Sequence, residues 1–258
     1  MIKALFTAAT GMKAQQTRID VIANNLANVN TTGFKKSQVN FEDLLYTTIR
    51  SPNEQTKDGL RPSGLQIGSG SRLVNTSKIF TPGVLEETGN PLDLVITGQG
   101  FFQMQGLGGT TLYSRDGNFG LDRDGSVVNS QGLKLIPNIT IPPNAQVAVG
   151  QDGSITAIVG DTSSQVGQIQ LVNFTNPSGL SSQGSNNMRE SDASGAPLSG
   201  NPGDDGFGGI VGGFLEKSNV EVVNELVGLI TSQRAYETSS KAISAADEML
   251  TTVNQILR

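Results

Sequence analysis

The chain has no cysteine, no histidine and no tryptophan in its 258 residues. Without cysteine there are no disulfides, no thiolate nucleophile and no thiolate zinc site. Without histidine the commonest general base and the commonest transition-metal ligand are missing. Aromatic residues are 5% and hydrophobic residues 36% of the chain, too lean for one thick core. No apolar run approaches the roughly 20 residues that span a bilayer. The opening Met-Ile-Lys-Ala-Leu-Phe is interrupted by Thr7, Thr10, Gly11 and Lys13, so the expectation is that no signal peptide is cleaved and no segment inserts directly into a membrane.

Basic charge is also scarce, and the formal net charge of −5 argues against a nucleic-acid partner. Its distribution is uneven. Residues 1–40 hold five Lys or Arg and one acid, residues 41–213 nine basic and sixteen acidic, and residues 214–258 four basic and six acidic.

What is present begins at the two ends. Leu5, Ala8, Met12, Gln15, Ile19, Ile22, Leu26 and Val29 alternate at spacings of three and four, the pattern of a helical seam that buries itself against a partner. Asn30-Thr-Thr-Gly33 stops it, with Gly33 suited to a left-handed conformation. Near the other end, Ser218 and Glu221 read as a capping box. Val222, Leu229, Tyr236, Ile243, Leu250 and Leu257 then recur every seven residues, with Leu226 beside them; the companion positions Gln233, Ser240, Asp247 and Asn254 are polar. Such narrow stripes require partners, either each other or further copies of the chain.

Between these ends, residues 34–74 read as an extended arm or linker, with Arg50 to Gly70 polar and rich in Ser, Pro and Gly. Short alternating runs follow: 93–97, 100–105, 111–115, 119–122, 126–129, 146–149, 154–159 and 168–174. Asp116-Gly117, Asp124-Gly125 and Asp152-Gly153 read as hairpin turns. The expected class is therefore α+β. Long N- and C-terminal helices (1–33 plus 214–258) form a coiled-coil-like discontinuous domain, and a mainly antiparallel β-domain (75–213) is inserted between them.

No motif points to catalysis, a cofactor or a metal. Gly98-Gln-Gly100 lacks the third glycine of a dinucleotide loop and runs into Phe101-Phe102, which are strand-like. Asp122-Arg-Asp124-Gly125 has Ser126 and Leu133 where a calcium loop needs oxygen ligands. Glu86-Glu87 and Asp204-Asp205 are adjacent acids and do not straddle a cleft as glycosidase carboxylates do.

Four blocks in order do carry a resemblance: Ala23-Asn-Asn-Leu-Ala-Asn-Val-Asn-Thr-Thr-Gly-Phe-Lys35, Gly89-Asn-Pro-Leu-Asp-Leu-Val-Ile-Thr-Gly-Gln-Gly-Phe-Phe102, Tyr113-Ser-Arg-Asp-Gly-Asn-Phe119, and the stretch from Ser218-Asn-Val-Glu to Arg234-Ala-Tyr-Glu237. They resemble the axial proteins of the bacterial flagellar rod and hook. Leu60 to Gly70, with the arm before it, resembles the segment that marks distal rod members; proximal rod or hook-type subunits are the alternative within the family, and a cell-wall carbohydrate-active enzyme the alternative outside it.

The resemblance implies a helical homopolymer without cofactor. Its terminal helices line a hollow shaft through the periplasm, which carries torque and lets export substrates pass. Implied partners are proximal rod subunits, hook-side axial proteins, the surrounding ring and the export apparatus. The expected subunit-packing residues are Leu5, Met12, Ile19, Ile22, Leu26, Val29, Val222, Leu226, Leu229, Tyr236, Ile243, Leu250 and Leu257. The expected stiffening arm includes Arg50, Pro52, Leu60, Pro62, Gly64, Leu65 and Gln66.

Overall fold

The structure, a computed structural model, describes residues 2–50, 55–56, 59–60, 64–160 and 162–256. It is α+β, with one helix at each end and a β-rich middle whose recorded ladders are antiparallel. The chain divides into two units. One comprises Met1–Leu26, Ser37–Ser77 and Glu221–Arg258; the other comprises Ala27–Lys36 and Lys78–Val220.

The first unit holds helices α1 (Ile2–Ala27) and α2 (Val222–Ile256) with strands β1 (Ser37–Asp43), β2 (Tyr46–Arg50), β3 (Gln55–Thr56), β4 (Gly59–Leu60), β5 (Leu65–Gly68) and β6 (Ser71–Lys78). At 1.5 Å per residue the helices are about 39 and about 52 Å long. The helix starts and stops differ from the expected ones. Gly33 does take a positive φ of 67°, but six residues beyond α1, and its N–H donates to the Glu216 carbonyl instead of closing the helix. Ser218 does not cap α2; its Oγ accepts from the Val220 N–H in a turn, and the helix begins at Val222.

The second unit is built around a nine-stranded antiparallel sheet. Its strands are β9 (Phe101–Gln105), β10 (Thr111–Ser114), β11 (Phe119–Leu121), β12 (Val127–Asn129), β13 (Lys134–Leu135), β17 (Leu171–Asn173), β18 (Ser181–Gly184), β19 (Asn187–Arg189) and β20 (Leu198–Gly200). Strands β14 (Gln146–Val149), β15 (Ser154–Val159) and β16 (Thr162–Gln168) form a second sheet. Two ladders complete the unit: β7 (Leu85–Glu87) with β22 (Phe214–Glu216), and β8 (Leu94–Thr97) with β21 (Gly209–Gly212).

Side-chain alternation on β9 divides the core. Phe102 and Met104 enter one cluster with Phe119, Leu135, Ile155 and Ile210; Phe101 enters another with Tyr113, Phe174 and Met188. Edge-to-face pairs fix both, Phe102–Phe119 at 5.1 Å and Tyr113–Phe174 at 4.8 Å between ring centroids.

Asp124-Gly125 and Asp152-Gly153 turn hairpins as expected, joining β11 to β12 and β14 to β15. Asp116-Gly117 does not, because β10 pairs with β9 and β19 while β11 pairs with β12. Its glycine is required for another reason. A Cβ on Gly117 would stand 1.6 Å from the Leu94 carbonyl oxygen, so the loop passes β8 closer than any side chain permits.

Candidate assembly surfaces

The helices of the first unit run antiparallel. Gly11 faces Ser239, Ile22 faces Gly228, and Asn25 Nδ2 donates to Glu225 Oε2 at 3.3 Å; the residue numbers of each pair sum to 250. The seam on α2 is small. A Cβ on Gly228 would stand 3.3 Å from Ile22 Cδ1, and one on Gly11 3.6 Å from Ser239 Oγ. Ser232 and Ala246 are buried and Ala235 half-buried. Gly, Ser and Ala at these positions let two backbones approach.

The apolar heptad lies beside this seam and crosses it obliquely. An α-helix drifts about 20° per seven residues, so a strict seven-residue series winds around it. Val222 and Leu226 at its start are exposed, as is Tyr236, whereas Leu229, Ile243 and Leu250 are half-buried. On α1, Leu5, Met12, Ile19 and Leu26 are half-buried and Ile22 is buried. Val29 follows α1 in the second unit and is half-buried. Leu257 lies outside the described residues.

The other side of α2 carries Val222, Val223, Leu226, Val227 and Ile230, all exposed. At 100° per residue they fall within about 140°, on the side opposite Gly228, Ser232, Ala235 and Ser239. Exposed, contiguous apolar side chains of this kind mark an interaction surface.

The expected arm is a hairpin. Strands β2 and β5 pair antiparallel, Thr48 opposite Gln66 and Arg50 opposite Leu65, with a register shift between Thr48 and Arg50; β3 and β4 pair beyond them, Gln55 opposite Leu60. Arg50, Gly64, Leu65 and Gln66 are exposed, and Pro52 and Pro62 lie outside the described residues. Leu45, Tyr46, Ile49 and Ile67 are also exposed on this hairpin. Its apolar surface is thus open on two strands, which by themselves are marginal in water.

Sequence reasoning missed the polar groups that anchor the resemblance blocks. In the first unit Asn25 pairs with the backbone of Ser37 twice, Nδ2 donating to its carbonyl and Oδ1 accepting from its N–H, both at 2.9 Å. In the second unit Asn219 Oδ1 accepts from Lys36 N–H at 2.8 Å, and its Nδ2 donates to the Ile79 carbonyl at 2.8 Å.

A buried charge cluster lies in the same unit. Lys35 Nζ is 2.6 Å from Glu216 Oε1 and donates to the Thr81 carbonyl at 2.8 Å; the Gly83 N–H donates to the same carboxylate at 2.8 Å. Arg115 Nη1 stands 3.7 Å from Glu216 Oε2, its guanidinium also donates to the Ile96 and Gly98 carbonyls, and it lies over the Phe101 ring. Burial pulls both the Lys35 and Arg115 pKa values below their ordinary ranges, opposed by the Glu216 charge. Three charges in mostly apolar surroundings, two of them inside the resemblance blocks (Lys35 and Arg115) and Glu216 just before the last, were the available signal, but nothing in their spacing announces that they meet.

Among the described residues no group of His, Cys, Asp or Glu is arranged to hold a metal, and no helix is long and apolar enough to cross a membrane.

Known proteins match the chain in sequence along its whole length. Three family signatures match: "Flagella basal body rod protein" over residues 5–35, "Flagellar hook protein FlgE/F/G D1 domain" over 95–157, and "Flagellar basal body rod FlgEFG protein C-terminal" over 211–256. The flagellar basal-body rod protein FlgG of Agrobacterium fabrum is 46% identical over all of both chains, and that of Borreliella burgdorferi 43% identical over all of both. The FlgF rod protein of Caulobacter vibrioides is 35% identical over 96% of this chain and 95% of its own. With relatives of this identity along its whole length, the chain belongs to the flagellar basal-body rod protein family, and it is a structural subunit of the rod, not an enzyme.

Proposed function

We propose that the chain polymerises helically as the distal rod, a stiff hollow shaft that carries motor torque to the hook and through which export substrates pass. The observation that best supports this is the division of labour on α2: small residues close the helix pair, which leaves Val223, Val227 and Ile230 facing outward for a neighbour. In the polymer the terminal helices form the inner tube and pack against those of adjacent copies in coiled-coil fashion, through the heptad residues from Val222 to Leu257 and through Leu5 to Val29. The β2–β5 hairpin locks neighbours together through its exposed apolar residues and gives the shaft its stiffness. Proximal rod subunits, hook-side proteins, the ring around the shaft and the export apparatus are its partners. It works where the shaft crosses the periplasm.

The test is assembly of the purified full chain, followed by light scattering and electron microscopy. Straight tubes form above a threshold concentration. Leu229, Ile243 and Leu250, all changed to Ala, abolish the tubes while the β-rich unit stays folded. Deleting residues 50–68 leaves tubes that bend more easily. Normal tubes from the triple variant would refute the role of the heptad, and unchanged stiffness after the deletion would refute that of the arm.

A further inference from the structure

The first unit carries a second apolar feature, and it is concave. A cleft of about 720 Å³ opens between the first turns of α1, the middle of α2 and β5. Ala4, Ala8, Ala242 and Gly68 leave it without bulky side chains, and Ile67 and Lys3 stand at its sides. The strip Val222–Ile230 is on the same unit, at the other end of the helix pair: it is level with Ile22 along the pair, on the far side of α2, whereas the cleft is at Ala4. Strip and cleft are therefore about 20 Å apart along α2.

Charge follows the same division. Of the residues that line the cleft Lys3 is charged and none is acidic, and the α1 segment that continues from it, residues 2–18, adds Lys13 and Arg18 and no acid. Residues 221–237, which bear the strip, contain Glu221, Glu225 and Glu237 against Arg234 alone; Glu221 and Glu237 are exposed, whereas Glu225 is turned to Asn25 in the helix seam.

We infer that the apolar strip of one copy seats in the small-residue cleft of the next copy, with the exposed Glu221 and Glu237 of the strip's segment facing Lys3 and the basic start of α1. The occupant is a second copy of this chain. Branched side chains meet a surface of Ala and Gly, and opposite charges meet around them. Because the two surfaces are different and lie at opposite ends of one unit, the contact is head-to-tail. A head-to-tail contact leaves one free strip and one free cleft after every addition, so it propagates instead of closing as a two-fold dimer. This inference rests on the polymer reading and adds which surfaces meet.

The chain has no native cysteine, which makes a directed cross-link clean. Val227→Cys is placed in one full-length preparation and Ala4→Cys in another; both positions are exposed, so neither change disturbs a core. After mixing and oxidation with oxidised glutathione, the V227C–A4C heterodimer should exceed either homodimer at least tenfold, and adding Val223→Asp to the V227C chain should remove it. Separately, V223D/V227D and A4R/A242R each fail to polymerise, yet their mixture forms dimers and stops there, because one intact strip still finds one intact cleft. Circular dichroism matching the unmodified chain verifies that all variants are folded.

A predominance of V227C homodimers would overturn the inference in favour of a two-fold contact. If the unmodified chain forms tubes without a V227C–A4C cross-link, the strip is covered elsewhere and only this inference falls. If the unmodified chain forms no tubes but the heterodimer appears, the pairing stands and the polymer reading falls. If neither forms, both fall.

Discussion

Lys35 and Glu216 are 181 residues apart in sequence, and their charged atoms are 2.6 Å apart in a site where neither side chain is more than 2% exposed. An ion pair this deep is worth little over an apolar pair of the same shape, but removing one partner strands the other. Glu216 is the only acid in the cluster and faces two cations and the Gly83 N–H. Glu216→Ala should therefore cost about 3–5 kcal/mol. Lys35→Met should cost less, because Arg115 and the Gly83 N–H still face the carboxylate. Urea denaturation followed by tyrosine fluorescence gives both values, and equal costs would show that Arg115 contributes no compensation.

Gly33 is a sharper test of backbone fit. Its φ is 67°, and a Cβ there would stand 2.7 Å from the Asp116 backbone nitrogen, which has no side-chain freedom to yield. Gly33→Ala combines left-handed strain of about 1–2 kcal/mol with overpacking of about 1–3 kcal/mol. The midpoint of thermal unfolding should drop accordingly, whereas Gly132→Ala, with a similar φ and open space around it, should show only the strain.

The helix seam should reject bulk and accept methyls. Gly228→Leu drives a side chain into Ile22 and should destabilise the helix pair by about 1–3 kcal/mol. Ser232→Ala should do the reverse. Ser232 Oγ is buried with no hydrogen-bond partner, and alanine removes an unsatisfied group while favouring the helix, for a gain of about 1 kcal/mol. Hydrogen exchange of the α1 and α2 amides measures both changes in place.

Alkaline pH should loosen the β-rich unit through Tyr113. Burial, with the nearby Glu190 charge and the hydrogen bond to Glu190 Oε2, pushes this phenol up to about 12. An unfolded tyrosine ionises near 10, so between about pH 10 and 12 the unfolded chain holds fewer protons and stability falls as pH rises. Two pH units correspond to about 2–3 kcal/mol. Denaturation midpoints should decline across that window, and Tyr113→Phe should flatten the decline; an unchanged slope would place its cause in another group.

Much of this was readable in the residues. Period-two runs located β14 and β15 to the residue, because Ile155 and Ala157 alternate with polar neighbours and Asp152-Gly153 marks the turn. The terminal helices were legible for the same kind of reason. Their contact was not. A hydrophobic pattern follows Val222, Leu229 and Tyr236, but the seam follows Gly228, Ser232 and Ser239, residues with too little apolar surface to register in such a pattern. Strands β18 and β19 were missed because Ser181-Ser-Gln-Gly184 and Asn187-Met-Arg189 are held by ladder partners from distant chain, with little propensity of their own. The charge cluster was invisible for a related reason: proximity between residues 35, 115 and 216 belongs to topology, which no local spacing encodes.

That topology also sets a clock. Lys35 and Arg115 are buried against a carboxylate 181 and 101 residues downstream, and the inner face of α1 is covered by residues such as Gly228 and Ser239. A chain emerging from its N-terminus has two cations without their counter-charge and a helix face without its cover until more than four-fifths of its length is available. Closing such long loops is slow compared with forming local turns. Both units therefore complete late and within a short interval of one another. Until then the nascent chain stays open and threadable, and it becomes a rigid part only once its final segment has arrived.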